Sequence, residues 1–192
     1  QAVFGIVQGG TDPELRLAHA ETLAKLPFDG LALGGFSVGE PNQDMHRALA
    51  VVAPRLDAAR PRYLMGVGTP ADLVRAIGAG IDVFDCVMPT RNARNGQVFT
   101  RSGPLAIRNA RYRDDPKPLE EGCACPSCRG GYSRAYLRHL HLAREMSAAR
   151  LLTLHNLAFY GRLVADARQA ILAGAYGAWS AELLTTLGAD DS

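Results

Sequence analysis

Three thiols stand within six residues, at Cys123, Cys125 and Cys128, and a histidine, His155, follows 27 positions later. Three thiolates and one imidazole complete the tetrahedral shell of a structural zinc, one per chain. Four protein ligands leave no open position for catalysis. So tight a cluster reads as a metal site in a reducing compartment rather than as a disulfide framework. His139 and His141 also lie downstream. His155 is preferred because it is expected at the start of the last helix, which a metal would staple to the cysteine segment.

A second candidate lies in Ile81–Gly96, IDVFDCVMPTRNARNG. An apolar run delivers Asp85, and Pro89, which brings no amide hydrogen to a ladder, is expected to stop the strand. A basic loop with Arg91 and Arg94 then runs to a turn at Asn95-Gly96. A carboxylate near the C-terminal end of a buried strand sits on the rim where α/β proteins place their chemistry. The plain alternative is a solvated strand-end aspartate.

Other polar groups share that rim. Gln8 and the turn Gly34-Gly35-Phe36-Ser37 lie just past their strands and offer an amide and bare backbone to the edge of a planar heterocycle. Met65 ends a strand where a thioether can stack on such a ring, or pack in the core. Gly66-Val67-Gly68-Thr69-Pro70-Ala71 matches the G-x-G-x-x-A dinucleotide fingerprint. A helix N-terminus there can hold any phosphate, including one from a nucleic-acid backbone. The nicotinamide alternative leaves the cysteines and the arginines unexplained.

Charge is distributed unevenly. Thr90–Lys117 carries seven basic residues against two acidic ones, a net +5, while the whole chain is only +2. A basic face on a slightly acidic body suits a phosphate-bearing partner. No stretch has transmembrane length and no charged-then-apolar leader is visible, so a cytoplasmic protein is expected. The chain begins at Gln1, directly in strand-like sequence, which suggests a fragment or a processed chain.

The elements that position these groups repeat as strand, glycine turn and helix. The strands are expected at Val3–Val7, Gly30–Leu33, Arg62–Met65 and the run holding Asp85. A Thr11-Asp12-Pro13-Glu14 capping box opens the first helix, with Leu15, Ala18, Thr22, Leu23 and Leu26 as its apolar stripe. Met45, Leu49, Val52 and Leu56 mark the second helix; Thr69 caps the third, with Pro70 in its first turn. Short, continuously apolar strands alternating with helices predict a parallel sheet. Four such units fit an open doubly wound sheet or part of a (β/α)8 barrel. After them come a hairpin (Gln97–Thr100, then Leu105–Ile107), the cysteines, a helix Ser133–Met146, and a long helix from about Thr153 to Leu172. The apolar face of that last helix is expected at Leu157, Tyr160, Leu163, Val164, Ala167 and Ile171. The tail after Gly174 is weakly patterned.

Five motifs then stand in order across almost the whole chain: FGIVQGG, GGFSVGE, YLMGVGTP, FDCVMPTRNARNGQ, and CxCxxC followed by histidine. Together they resemble the C-terminal half of the bacterial-type tRNA-guanine transglycosylases, the queuine tRNA-ribosyltransferase family. The resemblance implies the last four βα units of a zinc-containing (β/α)8 TIM barrel. Residues 1–96 would be the partial barrel, 97–152 a hairpin and zinc-binding insertion, 153–174 the closing barrel helix, and 175–192 a tail. It implies exchange of the wobble guanine (position 34) of tRNAs with GUN anticodons (Asp, Asn, His and Tyr types) for preQ1. Asp85 would be the nucleophile of a covalent aspartyl-ribosyl intermediate. Gln8, Gly35, Phe36, Ser37 and Met65 would bind the base. Gly66, Val67, Gly68, Thr69, Pro70, Ala71 and Asp72 would contact RNA, and Thr90, Arg91, Asn92, Ala93 and Arg94 would read around the wobble position. Cys123, Cys125, Cys128 and His155 would hold the zinc.

Val38 stands where relatives that use queuine resemble one another in having glycine, which favours preQ1. The helix with Tyr136 and His139 resembles the homodimer segment of bacterial members. The departure is an absence: the family's general-base aspartate belongs to an N-terminal half outside this sequence. The 192 residues alone are therefore expected to be inactive. A non-catalytic tRNA-binding subunit or homologue of the same family is the alternative, and the intact DCVMPTR context of Asp85 speaks against it.

Overall fold

A computed structural model describes residues 1–188, which fall into two compact units, Gln1–Cys86 and Val87 onward. The first unit alternates β1 (Phe4–Val7), α1 (Pro13–Ala24), β2 (Gly30–Leu33), α2 (Asn42–Val52), β3 (Arg62–Leu64), α3 (Pro70–Gly78) and β4 (Val83–Phe84). Its four strands are all parallel and lie in the order β1-β2-β3-β4. α1 packs against α2 and α2 against α3, so the connecting helices share one face, as right-handed crossovers between successive neighbours would place them. The order runs through without the reversal that marks a doubly wound sheet. β2 is buried along its whole length, whereas Ile6 and Val83 are exposed on the two edge strands. Leu31, Leu33 and Leu64 pack with Met45, Leu49, Val52, Leu56, Val67 and Ile81 into one core.

α1 differs from the expected pattern twice. Asp12, not Thr11, is its cap, accepting from the amides of Glu14 and Leu15. Pro13 occupies the first turn, so the cap falls on the residue just before it. The buried face holds Arg16 and Ala20, with Leu23 partly buried; Leu15, Ala18 and Leu26 of the expected stripe are exposed. A guanidinium takes the inward position because strand-end carbonyls there need donors. Thr69 does cap α3, accepting from the Asp72 amide at 3.0 Å.

In the second unit the basic segment after Asp85 is a helix, α4 (Met88–Arg94), and not a loop. The apolar run ends as strand at Phe84, and Pro89 sits in the first turn of α4, where its missing amide costs nothing. β5 (Gln97–Thr100) and β6 (Gly103–Ala106) form an antiparallel hairpin, and Ile107 lies just past the ladder. α5 (Pro126–Arg129) follows the first cysteines. α6 (Arg134–Leu142) is capped by Ser133 and stops four residues before the expected end.

Arg144 is left-handed, with φ 60°, and α7 begins at once, running Met146–Leu172. Its buried face is Leu152, His155, Asn156, Phe159, Tyr160, Leu163 and Ala167. Leu157, Val164 and Ile171, expected inside, are exposed. The polar pair His155-Asn156 claims the inward stripe and rotates it. The weakly patterned tail forms α8 (Tyr176–Thr186); residues 189–192 lie outside the described part. Val98, Leu105, Ile107, Leu119, Leu137 and Leu152 form this unit's own core. No helix of the described residues is long and apolar enough to cross a membrane.

Candidate active site and metal centre

The first unit gathers Gln8, Gly35, Phe36, Met65, Gly66 and Asp85 around one open cleft of about 310 Å³ at the C-terminal ends of its strands. Asp85 follows β4 and is exposed rather than folded into the core. The Tyr63 hydroxyl donates to Asp85 Oδ1 at 2.6 Å, and the Gly66 amide donates to the same oxygen at 2.9 Å. These two bonds, the Tyr63 bond foremost, hold the carboxyl below the usual aspartate range. Tyr63 is pushed up to about 12, first by that same bond. Oδ1 is thus engaged twice, and Oδ2 takes neither of these two bonds. Tyr63 was missed in the sequence. Its signal was its place two residues before Met65, on the same side of a strand.

Gly35 has φ 71°, and a Cβ there would stand 2.7 Å from Gln8 Oε1. The positive φ favours glycine, and a Cβ there would displace the end of the Gln8 side chain. The Gln8 carboxamide therefore lies against the Gly34-Gly35 backbone. Ser37 is exposed with φ 58°, and the Glu40 carboxylate accepts from the amides of both Ser37 and Val38. Val38 is 80% exposed. In Gly66–Asp72, Val67, Gly68, Pro70 and Asp72 are buried, so Gly66, Thr69 and Ala71 make what surface this segment has. Asp72 Oδ1 accepts from Asn42 at 3.0 Å and bonds His46 Nε2 at 2.9 Å. Its carboxylate faces inward and is not free for RNA.

In the second unit, Arg91 and Arg94 are exposed three positions apart on α4, which puts them on one face. Ala93 is buried, Asn92 donates to Gln97 Oε1 at 2.8 Å, and the Thr90 hydroxyl bonds the Val87 carbonyl at 3.1 Å. Of this segment only the two arginines are exposed; Thr90 and Asn92 are partly so.

The candidate metal-ligating set also belongs to the second unit. Donor atoms of Cys123, Cys125, Cys128 and His155 all lie within 4.8 Å of one another. The three sulfurs stand 3.7, 3.5 and 3.5 Å from His155 Nδ1. A tetrahedral zinc with bonds of about 2.3 Å to sulfur and 2.0–2.1 Å to nitrogen requires S···N edges of about 3.6 Å. The residues fit the ion. The other ring nitrogen, His155 Nε2, donates to the Phe99 carbonyl at 2.9 Å, which leaves Nδ1 unprotonated toward the thiols. Burial, and then the neighbouring sulfurs, push the Cys128 thiol up to about 12, a trend that a bound cation reverses. His155 lies in the third turn of α7 rather than at its start, so the staple reaches mid-helix.

Asn156, next along the helix and fully buried, was also missed. It accepts from the Phe99 amide at 3.0 Å and donates to the carbonyls of Pro89 and Gln97 at 2.9 and 3.1 Å.

Comparison with known proteins gives this arrangement its context. The family model described as Queuine tRNA-ribosyltransferase matches residues 1–189. A protein named queuine tRNA-ribosyltransferase from Sorangium cellulosum (strain So ce56) is 62% identical over 192 residues, covering all of this chain and 48% of that protein. One of the same name from Syntrophobacter fumaroxidans is 58% identical over 179 residues, or 93% of this chain and 48% of that protein. Another, from Janthinobacterium sp. (strain Marseille), is 57% identical over 175 residues, or 91% and 46%. The chain thus spans about half the length of the curated relatives it matches. With its five motifs in order and a family match over nearly every residue, the chain belongs to the queuine tRNA-ribosyltransferase family.

Proposed function

We propose that these residues supply the nucleophile, the base-edge groups and the metal centre of a tRNA-guanine transglycosylase that replaces guanine 34 of GUN-anticodon tRNAs with preQ1. The proposal rests above all on the geometry of Asp85: Oδ1 is held by Tyr63 and Gly66, and the residue lines a cleft together with Gln8 and Gly35. Oδ2 attacks C1′ of the ribose as the N-glycosidic bond breaks, and guanine leaves with the bonding electrons and takes up a proton. The incoming 7-deazaguanine then gives up a proton and displaces Asp85 from C1′. Two displacements retain configuration, as in retaining glycosidases. A carboxylate that remains ionised also opposes the positive charge developing on the sugar. The target nucleotide must be extruded from its stack to reach this depth.

The proton carrier is a group outside residues 1–192. The sequential parallel strands are taken as the last four units of a (β/α)8 barrel, with 97–152 as the metal-binding insertion, 153–174 as its closing helix and 175–192 as a tail. Zinc bound by Cys123, Cys125, Cys128 and His155 is structural. It ties the cysteine segment to α7 and supports the RNA-facing surface that carries Arg91 and Arg94. A homodimer and a cytoplasmic location complete the proposal.

The test is a denaturant-resistant adduct between the full-length protein that contains these residues and a GUN-anticodon tRNA, trapped during base exchange. It should form with wild type and vanish in Asp85→Ala. RNA binding with no adduct, equal in both, would instead identify a non-catalytic tRNA-binding homologue.

A further inference from the structure

Glu120 stands three residues before the first cysteine of the cluster and joins the three segments that build the metal centre. Its backbone carbonyl accepts from the Cys123 amide at 3.3 Å. Carboxylate Oε1 accepts at 2.7 Å from the amide of Arg101, in the turn of the hairpin whose Phe99 carbonyl orients His155. Oε2 pairs with the guanidinium of Arg162 on α7. Arg162 follows His155 by seven residues, two helical turns along the same stripe. Glu120 is buried and Arg162 half-buried, so solvent and salt screen this pair less than an exposed one.

The guanidinium also acts on the thiols. Burial pushes the Cys123 thiol up, and the charge of Arg162 works against that rise. Burial opposes the charge of Arg162 itself, but Glu120, and after it the sulfurs of Cys123 and Cys125, hold the guanidinium above its usual range. A zinc ion held by three thiolates and a neutral imidazole is a net anion, because the thiolates outnumber the two charges of the ion. Keeping such a centre away from water is costly unless a positive group stands near it.

We propose that Glu120 and Arg162 are positioning residues of the metal centre: Glu120 fastens the cysteine segment, the hairpin and α7 together, and Arg162 supplies the positive charge that offsets the loaded site. This deepens the zinc proposal and rests on it.

The test uses the full-length protein that contains these residues and reads zinc rather than turnover. Zinc affinity is measured by competition with a chromophoric chelator, and the melting temperature of the zinc-free form is recorded beside it. Arg162→Gln, which removes the charge, should weaken zinc binding about 10–100-fold, the range for residues that act through a metal's ligands. Arg162→Lys keeps the charge and should recover most of that loss. Glu120→Ala frees Arg101 and Arg162 and should weaken zinc binding about 10-fold or more. Unchanged affinity in Arg162→Gln overturns the proposal, even where the zinc-free form melts lower, since that pattern marks a purely structural pair. An Arg162→Lys variant that recovers nothing overturns the part assigned to charge. Wild type that holds no zinc removes the metal-centre reading, and this proposal with it.

Discussion

The hydroxyl of Tyr63 lies 2.6 Å from Asp85 Oδ1, on the strand next to the one that leads to the carboxylate, and each group displaces the ionisation of the other. The tyrosine rises to about 12, and the aspartate stays below its ordinary range. Asp85 is therefore charged at every pH at which the protein would work. In Tyr63→Phe one of the two donors is gone. The acid limb of the base-exchange pH profile should move to higher pH, and the rate at neutrality should fall about 3–10-fold, as for a single lost hydrogen bond. An acid limb that stays in place would show that the phenol does not tune this carboxylate.

Asp72 couples stability to pH. Burial pushes its carboxyl upward, but hydrogen bonds from His46, Thr69 and Asn42 outweigh this and hold it below the ordinary value. A depressed folded value stabilises above the unfolded carboxylate pKa of about 3.9, and the contribution is lost as pH falls through the folded one. Asp72→Asn should therefore cost about 1–3 kcal/mol at pH 7, read by urea unfolding, with the gap to wild type closing in strong acid. A gap that is constant with pH would place the cost in packing instead.

Removing metal should loosen the second unit. Purified protein should carry one zinc per chain by elemental analysis, and a strong chelator should lower its melting temperature. Affinity should decline as pH falls, because the thiols must give up their protons to bind. Cys125→Ser should abolish the zinc signal. Zinc-loaded protein that melts identically before and after chelation would refute a structural ion.

Asn156 satisfies one amide and two carbonyls on segments far from it in sequence. Asn156→Ala removes all three interior bonds, at a cost of about 2–4 kcal/mol in denaturant unfolding. A loss under half a kcal/mol would mean that water replaces the side chain.

Arg91 and Arg94 share an exposed face of α4. If each neutralises a phosphate, Arg91→Ala and Arg94→Ala should each reduce the salt slope of tRNA binding by about 1. Fluorescence anisotropy across a salt series measures this, and an unaltered slope would remove these arginines from the interface.

The alternation of short apolar strands with helices was legible because burial on both faces leaves continuous apolar runs. Thr69 was legible because threonine before proline is a local capping signal. The errors share one cause. Periodicity assigns the inward face of a helix to its apolar residues, yet α1 turns Arg16 inward and α7 turns His155 and Asn156 inward. Each of these polar groups meets carbonyls or amides supplied by distant segments, and no local pattern announces them. The break at Arg144 was hidden for a similar reason, since neither glycine nor proline marks it.

From its residues alone this chain determined its family, its parallel strands and its four candidate metal-ligating side chains, since motif order and donor chemistry are local properties of the polymer. Only folding in three dimensions decided that one oxygen of Asp85 takes both bonds, that Asp72 is sequestered, and that Glu120 pairs with Arg162. Those outcomes depend on hydrogen bonds between segments far apart in the chain, and their partners are chosen by strand register and by which side of each helix is turned inward.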